Sequence, residues 1–187
     1  LLVNRIFPVL ALFAVTFMAT TLLLGLTIGE LNVQATPDTL VRARVHRLCG
    51  IAAALSVVLA DSIVVTYFVG TSRWCKEVSE AYKLDAQFVR RSTALKRRTF
   101  PIAVLSMLTV VGVVALGGAA DPAAALRLPP LGGVTWSQLH LAGAMLGLTI
   151  VAYAFYLQWE NIAANRDVIN DILAEVQRIR IEKGLDV

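Results

Sequence analysis

The stretch that decides the fold is VHRLCGIAAALSVVLADSIVVTYFVG, residues 45–70. From Leu48 to Val69 it is almost unbroken in its apolar character, yet a histidine, His46, stands at its mouth and an acid, Asp61, inside it. A helix needs about 20 apolar residues to cross ~30 Å of hydrocarbon, and this run has that length. Three further blocks resemble it, so four transmembrane spans are expected at about 6–28, 48–69, 100–118 and 138–159. Alternation over about ten residues, the mark of a membrane β-strand, is missing from all four.

Composition agrees. Hydrophobic residues make up 57% of the chain and charged residues 16%, against about 25% charged in an ordinary soluble domain. Mean hydropathy is +0.70, so water is not the main solvent. The first block follows Arg5, as the core of a secretory signal follows a basic residue. Its apolar part exceeds the ~7–15 residues of a signal core, and Thr27-Ile28-Gly29-Glu30 is a poor cleavage site, so it reads as a retained anchor.

Orientation follows from Lys and Arg. Arg5, the basic residues between Arg73 and Arg98, and Arg166, Arg178, Arg180 and Lys183 fall on one side of the expected spans. Arg42, Arg44, Arg47 and Arg127 fall on the other, which places both termini and the 71–99 loop in the cytoplasm, in a bacterial inner membrane. The fold class expected is an all-α integral membrane protein: a four-transmembrane-helix bundle with cytoplasmic helical extensions and both termini cytoplasmic. The same bias accounts for the net charge of +4 without any call for nucleic acid. Cys49 and Cys75 fall on opposite sides of the second span, which argues against a disulfide or a metal knuckle.

Outside the spans, Pro37 after Thr36 suits the first turn of a short outer helix. Pro122, Pro129, Pro130, Gly132 and Gly133 mark the second outer loop as a structured connector. Trp74, Val78, Ala81, Tyr82, Leu84, Phe88 and Leu95 give residues 73–97 the spacing of a cytoplasmic amphipathic helix. Pro101 is expected in the first turn of the third span. Residues 160–183 contain no breaker, so the fourth span should continue as one long helix. Its seam, Ile169, Ile172, Val176 and Ile179, could pack on the 73–97 segment or on a second copy.

The chemistry-bearing residues are few. His46 and His140, the only histidines, open two spans that start on the same side, so both imidazoles should lie at similar depth. Gly50 shares a face with His46, and Gly143 and Gly147 share one with His140, which would leave room for a flat macrocycle between helices. Axial ligation of haem b by His46 and His140 follows as one expectation, with those glycines lining the group and iron as the metal. A non-haem metal or a quinone-like ligand is another. Zinc or copper would need further ligands, and Glu30, Asp38 and Asp121 have no diagnostic spacing. Against these stands plain packing: Gly143 and Gly147, like Gly25 and Gly29, form the small-xxx-small pairs that bring membrane helices together.

Asp61 is the one acid well inside a span. An ionised carboxylate there costs about 2.5–3.5 kcal/mol on insertion scales, so it should face protein or water. Ser62 and Thr66 are its expected intramembrane polar company. Trp74, Trp136 and Trp159 read as interface anchors. No phosphate loop, nucleophile elbow or zinc-hydrolase helix occurs, so catalysis by the chain alone is not expected. Three functions remain in view. The first is a non-catalytic membrane subunit that assembles or stabilises a larger homo- or hetero-oligomeric complex in the lipid bilayer. The second is a haem b electron-transfer subunit, and the third a proton or ion pathway subunit centred on Asp61.

Overall fold

A computed structural model describes residues 3–28, 36–124 and 128–185. Four helices account for nearly all of them: α1 (Val3–Leu26), α2 (Pro37–Tyr82), α3 (Ala86–Ala120) and α4 (Trp136–Glu182). Each contains a window long and apolar enough to cross a membrane, with mean hydropathy of 2.3, 2.3, 2.3 and 1.6 in chain order. Large apolar side chains such as Leu12, Leu55, Leu108 and Leu146 point outward, more than 60% exposed, as a lipid-facing belt requires. These are the features of a transmembrane four-helix bundle.

Helix starts are set by local chemistry. Thr36 caps α2 by accepting from the Thr39 amide at 3.2 Å, with Pro37 at the first helical position, where its missing N–H costs nothing. Thr135 and Gln138 close a reciprocal capping box on α4. The connector between α3 and α4 ends in a tight turn, where Leu131 bridges Val134 and Gly132 and Gly133 take φ of +59° and +84°. Only glycine enters that region without strain.

The helices run up, down, up and down. Gly25, His46, Gly117 and His140 gather at one end, and Phe7, Phe155 and the lower parts of α2 and α3 at the other. α1 and α3 occupy opposite corners and do not touch among the described residues, whereas α2 and α4 approach each other across the centre. That α2–α4 diagonal carries the core. Val57, Ala60, Val64 and Phe68 of α2 meet Val151, Phe155 and Ile162 of α4, and the Phe7 ring of α1 stands edge-on to Phe155 at 5.8 Å.

α2, α3 and α4 extend beyond the end where α1 begins and form a three-helix stem. Cys75, Val168, Ile169 and Ile172 are its buried centre, flanked by Trp74, Val78, Leu84, Phe88 and Val176. The seam on α4 therefore packs on its own chain's α2 and α3. Burial pushes the Cys75 thiol above its ordinary range, which leaves it unreactive. Cys49 and Cys75 are both free, and about 39 Å of one helix separates them.

Three local expectations are corrected. Pro37 opens a single 46-residue helix rather than a short outer one, because nothing between Thr39 and Leu48 interrupts propagation once the cap has formed. Residues 73–97 are two helix ends joined by a sharp turn, not one helix. Lys83 takes left-handed geometry at φ 54°, the Leu84 amide bonds Ser79 O at 2.9 Å, and the Asp85 carboxylate caps the Gln87 amide at 2.7 Å. The apolar spacing continues across this turn because both arms face α4, so periodicity alone hides it. Pro101 lies well inside α3 rather than in its first turn. Having no N–H, it leaves the Arg97 carbonyl four residues back without its helical donor, beside the exposed Arg97 and Arg98.

The stem should depend on the α4 seam. Ile172, fully buried, is expected to cost about 2–5 kcal/mol when replaced by alanine. Its half-exposed neighbour Leu173 should cost well under half of that, as read by reversible denaturation in detergent.

Candidate functional site

His46 and His140 do meet. Their ring centroids are 6.1 Å apart with planes at 79°, across the α2–α4 diagonal. Each imidazole is seated by the neighbouring helix in the same way. A Cβ on Gly25 of α1 would lie 3.0 Å from Cε1 of His46, and one on Gly117 of α3 would lie 3.0 Å from Cε1 of His140. One turn before each glycine stands a backbone carbonyl facing the same ring. Thr21 O is 3.0 Å from His46 Nδ1, and Val113 O faces His140, although His140 Nδ1 closes no hydrogen bond. The α1–α2 and α3–α4 hairpins thus repeat one device: a histidine on the second helix, and on the first a glycine that admits its ring, preceded by a carbonyl four residues earlier. A carbonyl only accepts, so Nδ1 of His46 is the donor in the Thr21 contact and Nε2 is left to other partners.

The other glycines do different work. Gly143 and Gly147 face α3, where an added Cβ would fall 2.6 Å from Leu116 Cδ1 and from Val113 Cγ2 respectively. They are close-packing positions, with α3 side chains filling the room that a macrocycle would need there. Gly50 lies in ordinary contact with Thr21 Cγ2 at 3.6 Å. Gly29 and Glu30 are outside the described residues. Asp121 pairs with Arg47 at 2.8 Å, Asp38 is exposed in the first turn of α2, and no group of three or more His, Cys, Asp or Glu side chains converges among the described residues. A multi-ligand zinc or copper centre has no support among them.

Asp61 is fully buried on the same diagonal, about 22 Å along α2 from His46. Its partner is Gln158 of α4, whose Nε2 donates to Asp61 Oδ1 at 2.8 Å. Ser106 of α3, also fully buried, stands beside the carboxyl. Asp61 Oδ2, Gln158 Oε1 and Ser106 Oγ have no hydrogen-bond partner. One helical turn further along α4, Asn161 is buried with its Nδ2 also unpartnered. At the next level Asn165 is satisfied from three directions. Its Nδ2 donates to Tyr67 Oη at 3.1 Å and Thr71 Oγ1 at 3.0 Å, and its Oδ1 accepts from Ser92 Oγ at 3.2 Å.

Ser62 and Thr66 do not accompany Asp61. Both are exposed on the outer face of α2 and donate to carbonyls of their own helix, Val58 O and Ser62 O. They lie one and five positions from Asp61, on a different face of the helix. The partners came instead from α3 and α4. Gln158, Asn161 and Asn165, spaced by three and four, were the legible signal: a polar stripe on one face of an otherwise apolar helix.

Two outcomes test this geometry. Gly147→Ala should cost about 1–3 kcal/mol and exceed Gly143→Ala, because the branched Val113 cannot yield as the tip of Leu116 can. Gln158→Leu, by leaving the carboxyl without a donor, should cost about 1–3 kcal/mol, while the double replacement Asp61→Leu with Gln158→Leu should recover most of that loss. Thermal denaturation in one detergent reads both series. In comparisons with known proteins, no family model matches the chain, and neither a curated protein nor a solved structure shows significant similarity to it.

Proposed function

We propose that the chain is a haem b-binding, electron-carrying membrane subunit of a larger complex, with His46 and His140 as the two axial ligands. The observation that carries this reading is the convergence of the only two histidines at one depth on the core diagonal, 6.1 Å apart. Two imidazoles this close would both be able to ligate an iron held between them. The backing of His46 Nδ1 by the Thr21 carbonyl is the second support, since that bond fixes the tautomer and raises the basicity of Nε2. The donor set fits the group. Gly143 and Gly147 are covered by α3 and the Gly25 and Gly117 faces by the imidazoles themselves, so the helices would have to part to admit the macrocycle.

Bound haem would supply one-electron exchange at a fixed depth. The chain's own residues supply the rest. The paired glycine and carbonyl seats hold both rings at the same level, the apolar layer of Ala53, Val57 and Val151 keeps water from the inner side, and Arg44 and Arg47 bring positive charge to the same end. A single one-electron group neither makes nor consumes a substrate, so the subunit is not catalytic by itself and needs a donor and an acceptor in a homo- or hetero-oligomeric assembly. The three-helix stem is the natural docking element. Under this reading the excess of basic residues on the stem side supports a cytoplasmic stem and cytoplasmic termini, in a bacterial inner membrane. Trp136 and Trp159, about 34 Å apart along α4, then stand at the two interfaces, with Trp74 on the stem side.

The test is the visible absorption spectrum of the purified chain from haem-sufficient cells. A reduced b-type band that vanishes in both His46→Ala and His140→Ala is expected. A folded but colourless protein, or a band that survives either replacement, overturns the assignment.

A further inference from the structure

The buried polar side chains of the bundle lie at the level of Asp61 or on its stem side, where they run among apolar core residues such as Val64, Phe68, Ile162 and Val168. On the histidine side, the buried residues nearest it are Ala53, Val57 and Ala60 of α2, Val110 of α3 and Val151 and Ala154 of α4, with Ala14 and Met18 from α1. All are apolar. On the stem side, buried or half-buried polar side chains follow one another at every turn: Asn161 and Thr99, then Tyr67, Asn165, Thr71 and Ser92, then Ser72 and Ser79. A carboxyl placed only to tie α2 to α4 would need one donor and an apolar surround. Here it stands at the closed end of a one-sided polar column.

The unpartnered atoms carry the point further. Asp61 Oδ2, Gln158 Oε1 and Ser106 Oγ come from three helices at one level, Asn161 Nδ2 lies one turn nearer the stem, and Ser79 Oγ lies near its far end. Ser106 stands beside the Asp61 carboxyl and can satisfy it, so Gln158 Oε1, Asn161 Nδ2 and Ser79 Oγ are the atoms that call for water as the missing partner. Water between hydroxyl and amide groups makes a relay for protons, and such a relay gives purpose to an acid buried beyond it.

We infer that Asp61 is a proton-loading carboxyl, reached from the stem end through a hydrated polar half-channel lined by Asn161, Asn165, Tyr67 and Ser92, and sealed from the histidine end. Loading breaks an O–H bond of a hydrated proton in the column and forms one on Asp61 Oδ2; unloading reverses both, and no electron moves. Among the described residues no charged side chain acts on the carboxyl. α3 presents Ser106 and α4 presents Gln158 to it, while Tyr67, nearer the stem, feels Cys75 and the Arg166 guanidinium. This inference does not depend on what the imidazoles bind.

Infrared difference spectroscopy of the full chain in lipid nanodiscs tests it. Stepping the pH should change a protonated-carboxyl C=O stretch that Asp61→Asn abolishes, and transfer to heavy water should shift that band. Asn161→Leu removes an amide whose Nδ2 has no partner, so the fold should survive, and it should slow the exchange about tenfold or more by deleting one relay position. Thr71→Val provides the same reading should Asn161→Leu not fold. Val57→Ala, on the sealed side, should leave the rate unchanged. The inference is overturned if no carboxyl band depends on Asp61, if exchange in the folded column variant matches that of the parent, or if Val57→Ala accelerates it tenfold.

Discussion

Lipid offers no hydrogen bonds, so every polar group within the apolar belt must find its partner inside the protein. The backbone meets this demand by being helical. The hydroxyls of Ser56, Ser62, Thr66 and Thr109 meet it by turning back onto carbonyls of their own helices. Asp61, Gln158, Asn165 and His46 cannot satisfy themselves so locally. The positions of the helices follow from where these residues reach: His46 to the Thr21 carbonyl, and the others across the α2–α4 diagonal. Apolar contact alone would let four similar helices slide or rotate. The Asp61–Gln158 and Asn165–Tyr67 bonds fix register and facing.

The two ends of the bundle use that constraint differently. At the histidine end glycine does the positioning. Gly25 and Gly117 let an imidazole enter between helices, while Gly143 and Gly147 let α3 and α4 approach closely enough for Val113 and Leu116 to fill the groove. At the stem end, amides do the positioning, and buried polar side chains run beside the apolar stem core. Between them Val57, Val110 and Val151 form a dry layer. The imidazole pair and the buried carboxyl therefore share one small bundle with an apolar layer between them.

Much of this was legible in the residues. The four apolar blocks showed the spans, the unbroken run after Trp159 showed that the fourth helix continues, and the starts of two spans put both histidines at one level. Other features were hidden for identifiable reasons. The turn at Lys83 has neither glycine nor proline, and the apolar spacing runs through it because both arms pack on α4. Gly117 looked like one more small residue in a span. Gln158 and Asn161 stand where the fourth span gives way to its polar extension, yet both lie in the core. Ser62 and Thr66 were drawn toward Asp61 by closeness in sequence, which on a helix places them on another face.

Sequence by itself determined the solvent of this protein, the number of its helices and the rarity of its polar groups, because hydropathy and helix length are properties of local chain. Only the tertiary structure decided which rare groups belong together. His46 meets His140, and Asp61 meets Gln158, across about a hundred residues of chain, and such pairings depend on the rotation of each helix about its axis. That rotation is set by the close fit of glycines against side chains and by the requirement that no buried polar group remain alone.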